Sequence, residues 1–369
     1  MRINWHRKFV WLIKFSRNWL GWLQNSKRLV PGINLFKLML LDNVRISSYV
    51  LCVFLSYLLT PFPIEHFPRI FDRPNGEQFD YVFNCGGVTE SSRPEDIYEY
   101  RIYGLSMAMG RESARRGVRA FVECSTGHVY KANSTPRKET DSLQPWNVVA
   151  KWKLKAEQGL QEVKGLNLVI LRFPAMYGPY DTGFFATGIT MARVSKSLDR
   201  HLTLLYTRNL KINTIYIKDA VSALWTAAEW RSKQKSPPPE TKSSIFNIVD
   251  HNDTKQEHMA QALSESFDLK VDFLGSLGSQ LAKMSLDDIV DEANEDMLQV
   301  WAELLEDKQI QRPGPINPFV ERDVLKSDDL SLDGSLFESI TGWKPKREAF
   351  NADTVNEIVR SYENMGWWP

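Results

Sequence analysis

Residues 118–157 hold the densest set of side chains able to do chemistry. Ser125 and Thr126 bring two hydroxyls beside His128 and Tyr130; Glu139 and Asp141 follow in a polar loop, and Lys153 and Glu157 close the stretch. An imidazole titrates near neutral pH, so His128 could shuttle a proton. A turn histidine on the rim of a sheet is an equally good reading of it. Metal chemistry finds no support, because the six histidines are dispersed and form no ligand pair at helical spacing. Cys52, Cys85 and Cys124 are too few and too scattered for a zinc site or a disulfide framework, and they point to a reducing compartment.

The elements that must position these groups are legible. Val118–Cys124 is an apolar run of strand length, and a helix-like run holds Lys153-Leu154-Lys155-Ala156-Glu157. Apolar and β-branched segments predict further strands near residues 48–53, 79–84, 166–171 and 245–249. The almost continuous apolar character of Leu166–Leu171 is that of a parallel sheet covered on both faces. Ile102, Leu105, Ala108 and Met109 give the helical stripe of a segment running from Glu95 to a glycine cap at Gly117. Residues 233–244, with three consecutive prolines, read as an exposed loop, and residues 254–310 as helical. The acids between Asp287 and Asp296 read as a solvated helix face.

A chain of 369 residues with 43% hydrophobic and 25% charged content is globular, and its net charge of +1 argues against a general nucleic-acid-binding surface. Residues 1–30 differ from the rest: seven Lys or Arg, no acid, and Trp5, Trp11, Trp19 and Trp22. Such a segment could lie on an anionic membrane surface as an amphipathic helix, or be a loosely packed extension. The uncharged run 46–64 is broken by serines and prolines, and its apolar part, Tyr49–Leu59, is too short for a bilayer core of ~30 Å. A buried strand and loop is the better expectation, in a cytoplasmic protein with membrane association left open.

Taken together, the motifs resemble the extended short-chain dehydrogenase/reductases, the NAD-dependent epimerase/dehydratase family. That family writes a strand ending in Ser-Ser/Thr-x-x-Val-Tyr, then Glu, then Pro-x-x-x-Tyr-x-x-x-Lys-x-x-x-Glu. Here the matching pieces are Ser125-Thr126-Gly127-His128-Val129-Tyr130, Glu139, Pro145, Lys153 and Glu157. Asn84-Cys85-Gly86-Gly87 resembles the end of the family's fourth strand, and Arg172-Phe173-Pro174-Ala175-Met176-Tyr177-Gly178-Pro179 its Leu-Arg-x-x-x-Val-Tyr-Gly-Pro turn. Asp219 matches a helix-starting acid, a cap rather than a catalyst, and Gly342-Trp343-Lys344-Pro345 resembles the family's close. The resemblance runs from about Gly32 to Pro345, with a gap in the first third.

The resemblance implies an α/β fold: a Rossmann-like doubly wound parallel sheet with a smaller C-terminal substrate-binding part. It divides the chain into the extension 1–30, an NAD(P)-binding domain over 31–250 and a mostly helical substrate-side region over 251–369. It implies NAD or NADP as cofactor, a sugar-nucleotide-like or other hydroxyl/carbonyl small-molecule substrate, and possible homodimerisation. Carried over residue by residue, Thr126 takes the catalytic hydroxyl role and Lys153 the catalytic lysine role, while Gly32, Asn84, Gly86, Lys153 and Pro174 line the cofactor. Gly32 would be the third glycine of the pyrophosphate turn, but Ser26 and Leu29 stand where the first two belong, and residues 47–53 would be the second strand, with Phe54 near the place of the ribose acid. The general acid/base tyrosine, four residues before Lys153, is replaced by Val149. Tyr130 and Tyr177 are the tyrosines near enough to be considered as substitutes. Two readings follow: an oxidoreductase or epimerase with impaired catalysis, or an inactive member acting as a binding or scaffold protein.

Overall fold

The computed structural model describes residues 50–53, 71–72, 76, 78–90, 92–234, 244–275, 286–321, 328–347 and 349–369. Five strands form one parallel sheet: β1 (Val50–Val53), β2 (Tyr81–Asn84), β3 (Ala120–Thr126), β4 (Leu168–Phe173) and β8 (Ile245–Asn247), hydrogen-bonded in the order β1-β2-β3-β4-β8. All five fall on the apolar runs that predicted them. Two small parallel pairs lie outside this sheet, β5 (Ala175–Tyr177) with β7 (Thr214–Tyr216), and β6 (Leu202–Leu204) with β9 (Val271–Phe273).

Parallel strands need covered faces, and both are covered here. On one face Val82 and Phe121 pack against Leu105, Met107 and Met109 of α2 (Leu105–Arg115) and Leu160 of α3 (Val148–Gln161). On the other, Phe83, Val122, Leu171 and Phe246 meet Ala220, Ala223, Leu224 and Ala227 of α5 (Ile217–Lys233), with Phe337 and Trp343 outside them. The expected helix from Glu95 to Gly117 is one continuous helical run. A first turn, α1 (Glu95–Tyr98), widens into a π-helical stretch, Glu99–Gly104, before α2 begins. Gly117 stands just past α2 in the left-handed region, as a terminating glycine should.

A second core is built from α4 (Phe184–Ser197), α6 (Gln256–Phe267), α7 (Leu286–Asp307) and α9 (Ala352–Met365), with Phe185, Met259, Trp301, Phe350 and Tyr362 at its centre. It draws on both sides of residue 250, so the C-terminal region shares its core with residues 177–217. Asp291, Glu295 and Asp296 lie exposed on α7, a solvated face as expected, and no cluster of metal-ligating side chains occurs among the described residues. Asp219 departs from expectation. It lies in the first turn of α5 but accepts the backbone N–H of Arg347 at 2.9 Å, fastening the C-terminal segment instead of capping its own helix.

One strand assignment changes. The sequence reading made 47–53 the second strand, yet β1 pairs directly with β2 along Val50–Val53 and Tyr81–Asn84. In a doubly wound sheet of order 3-2-1-4-5-6 the strand beside the fourth is the first. Val50–Val53 therefore takes the first strand's place. The glycine-rich turn of such sheets follows that strand, and no glycine occurs between Gly32 and Gly76. Gly32 lies outside the described residues, ahead of β1 in the chain and not after it. The basic segment 1–30 also lies outside them, and no described helix is long and apolar enough to cross a membrane.

A buried ion pair fastens α3 to the sheet. Arg172 on β4 donates to both carboxylate oxygens of Glu157, the shortest contact being 2.5 Å, and Ser125 donates to the same carboxylate. Removing one partner leaves the other charge buried and uncompensated. Glu157→Ala is expected to lower stability by roughly 3–5 kcal/mol, read as a drop in the urea midpoint.

Candidate active site

The chemistry-bearing residues gather at the carboxyl ends of β2, β3 and β4, the edge where ligands of open α/β sheets bind. Asn147 starts α3 by accepting the N–H of Ala150 at 2.8 Å, and this start sets which residues the first two turns turn inward. Lys153, one turn further on, is 12% exposed at its side chain and reaches the sheet edge. Its ammonium donates to the carbonyls of Cys124 (2.7 Å) and Gly86 (3.3 Å). Gly87 follows with φ +145°, and a Cβ there would stand 3.7 Å from the Lys153 ammonium. The glycine thus lets the backbone turn tightly beside the lysine.

Beneath Lys153 lies a carboxylate that the sequence reading passed over. Glu123, in the middle of β3, is fully buried, 3.6 Å from the Lys153 ammonium. It accepts from the Asn84 amide (2.6 Å) and the Ser106 hydroxyl (2.9 Å). Burial raises its carboxyl above the ordinary carboxylate range, and Lys153, Asn84 and Ser106 pull it back down. The signal was present: an acid inside an otherwise apolar strand must be paired, since unpaired buried charge is prohibitively costly. Asn84, expected to line the cofactor, is wholly buried and serves this carboxylate, while its carbonyl oxygen accepts the N–H of Gly86. It shapes the floor from below.

Thr126 ends β3 in an extended conformation, and its hydroxyl lies 3.0 Å from Nδ1 of His128 while also accepting the His128 backbone N–H. The His128 ring packs edge-on against Trp146, with centroids 5.1 Å apart. Burial drives its pKa down to about 4, so the imidazole is neutral at physiological pH. Pro174 is buried where β4 gives way to β5. Val149, at the tyrosine position, is half-buried in the first turn of α3 and packs with Val88, Tyr98, Ile102 and Trp152.

Neither candidate tyrosine stands in for the missing one. Tyr130 is 1% exposed, donates to Asn247 at 2.8 Å and accepts from Arg172 at 2.7 Å; burial pushes its pKa up to about 12. It is a structural link. Tyr177 is equally buried in an aromatic cluster with Phe185, Tyr216 and Phe350, and burial holds its proton on.

Comparison with known proteins supports the resemblance. Residues 69–248 match the model of the NAD dependent epimerase/dehydratase family. Residues 69–248 thus carry a domain of the epimerase/dehydratase type. No curated protein sequence matches it. Among solved structures, RMD from Pseudomonas aeruginosa complexed with NADPH is 14% identical, with a TM-score of 0.59 over 92% of this chain and 98% of that one. The UDP-N-acetylglucosamine 4-epimerase from Bacillus cereus is 15% identical, with a TM-score of 0.54 over 84% of this chain and 85% of that one. The Bacillus cereus UDP-glucuronic acid 4-epimerase in complex with UDP-glucuronic acid and NAD is 14% identical, with a TM-score of 0.52 over 78% and 76%. At these identities the likeness is one of fold, and it bears out the Rossmann-like sheet.

The lowered pKa of His128 carries a stability signature. Its folded value, about 4, lies below the ordinary 6.5, so the unfolded chain binds more protons between them. Stability held above pH 6.5 is lost as pH falls towards 4, by no more than about 3 kcal/mol. Asp181 and Asp250, which burial pushes up to about 6, act in the opposite sense, so the comparison must be with a variant. Denaturation midpoints across this window should fall more steeply for the wild type than for His128→Asn. Parallel curves would show that His128 titrates as a solvent-exposed imidazole.

Proposed function

We propose that this protein is an oxidoreductase or epimerase of the NAD-dependent epimerase/dehydratase family, acting on a sugar-nucleotide-like or other hydroxyl/carbonyl small molecule, with catalysis impaired at one step. The observation that supports this is that Lys153 and Thr126 both come to the carboxyl end of β3, Lys153 through the Cys124 carbonyl, while Val149 packs into an apolar cluster. NAD or NADP, when bound, supplies the hydride acceptor. Lys153, Gly86 and the Pro174 turn suit its ribose–nicotinamide end, because an ammonium, the two carbonyls that accept from it and a tightly turned glycine backbone converge there. The pyrophosphate end has no glycine to serve it after β1.

In this reading the Thr126 hydroxyl orients the reacting oxygen, and the neutral His128, 3.0 Å away through Nδ1, is a group able to take a proton from it. Lys153 places its ammonium at the carboxyl ends of β2 and β3. No side chain at 149 can transfer a proton, which removes a contribution of roughly 10²–10⁴-fold in such chemistry. A second reading, a binding protein without turnover, is favoured by the way the Gly86 and Cys124 carbonyls and Glu123 already occupy the Lys153 ammonium.

Two measurements separate these readings. Nucleotide titration by calorimetry is expected to show NAD(H) and NADP(H) binding weaker than micromolar, since several charge-assisted hydrogen bonds at about 1.5–3 kcal/mol each are missing. Tighter binding would mean that residues 54–75 build a phosphate site without glycine. Val149→Tyr, assayed against a panel of nucleotide sugars with saturating cofactor, is expected to raise kcat by roughly 10²-fold or more. A folded, cofactor-binding Val149→Tyr protein without any gain would establish the second reading instead.

A further inference from the structure

Two of the three cysteines, scattered in sequence, meet in the fold. Cys85 and Cys124 lie one residue beyond the last paired positions of β2 and β3, Asn84 and Glu123, and their sulfurs are 3.2 Å apart. Both are half-buried, both are free thiols, and both face the α5 side of the sheet beside Trp225. Neighbouring parallel strands run about 4.8 Å apart, inside the Cα span of about 4.4–6.8 Å that a disulfide requires. Closing the sulfurs to about 2.05 Å is therefore within reach of side-chain rotation. The carbonyl of Cys124 itself and that of Gly86, next to Cys85, are the two that hold the Lys153 ammonium.

We propose that Cys85 and Cys124 form a dithiol–disulfide site at the carboxyl ends of β2 and β3, whose reactant is a small-molecule disulfide of the glutathione type. This goes beyond the proposed function and does not depend on it. Cys85 attacks one sulfur of the small disulfide; that S–S bond breaks, and one small thiol leaves with a proton. Cys124 then attacks the Cys85 sulfur of the mixed disulfide and expels the second small thiol, its own proton passing to that leaving group. The protein pair is oxidised by two electrons and the small disulfide is reduced by the same two. The order follows from the local environment: the hydrogen bond with Cys85 and burial keep the Cys124 proton on, well above the ordinary thiol range, so Cys124 acts second. Because the linked residues flank the Lys153 contacts, the redox state of the pair bears directly on how the lysine is held.

The test uses the reduced full-length protein incubated with oxidised glutathione. Intact mass is expected to show the loss of two hydrogens without a retained glutathione, peptide mapping to show a Cys85–Cys124 link with Cys52 still free, and dithiothreitol to reverse it. Cys124→Ser should stop at a glutathione adduct on Cys85, and Cys85→Ser should leave Cys124 unmodified. A wild-type adduct that is never resolved, a disulfide involving Cys52, or unchanged thiol titre under conditions that modify the urea-unfolded chain would each overturn the proposal. So would equal reaction of Cys85→Ser and wild type.

Discussion

The Glu157–Arg172 ion pair is the interaction on which the rest of this structure depends. Two opposite charges, each about 2% exposed or less, are tolerable in a protein interior only when nearly every donor and acceptor is matched. Here they are matched across the fold. The guanidinium also meets the Tyr130 hydroxyl, Tyr130 donates to Asn247 on β8, and the Asn247 amide donates to the backbone at Arg137 and Asp333. Glu139 accepts the Asn247 N–H. One continuous network thus joins α3, β4, the turn after β3, β8 and the C-terminal loop. The long apolar sheet faces could in principle slide over their helices, but a bidentate pair has one geometry. It fixes the rotation of α3, and so which of its residues face the carboxyl edge of the sheet.

A second buried carboxylate gives the cleft its character. Glu123 lies under Lys153 as its buried counter-charge, while two backbone carbonyls accept from the ammonium. Where a tyrosine would profit from a nearby ammonium, Val149 instead joins an apolar cluster with Trp152 and Tyr98. The two features agree. A lysine satisfied internally has less to offer a neighbouring hydroxyl, and a valine makes no demand on it. Thr126, linked to a neutral His128, is the polar group left at the cleft with a proton-accepting partner of its own.

The sequence by itself determined the sheet. Parallel strands covered on both faces are largely apolar, so the runs near 48–53, 79–84, 118–124, 166–171 and 245–249 announced the strands found at 50–53, 81–84, 120–126, 168–173 and 245–247. The family motif also marked Thr126, Lys153 and Glu157, the last two four residues apart and so on one helix face. Only the tertiary structure decided what depends on pairing between distant segments. That Val50–Val53 is the first strand, not the second, is a matter of which neighbour it hydrogen-bonds, and strand composition does not encode that. That Tyr130 and Tyr177 are structural, that Asn84 serves Glu123, and that Cys85 touches Cys124 are all contacts between side chains dozens of residues apart. Apolar periodicity is written locally and survives in the sequence; the partner of a buried polar group is chosen by the fold.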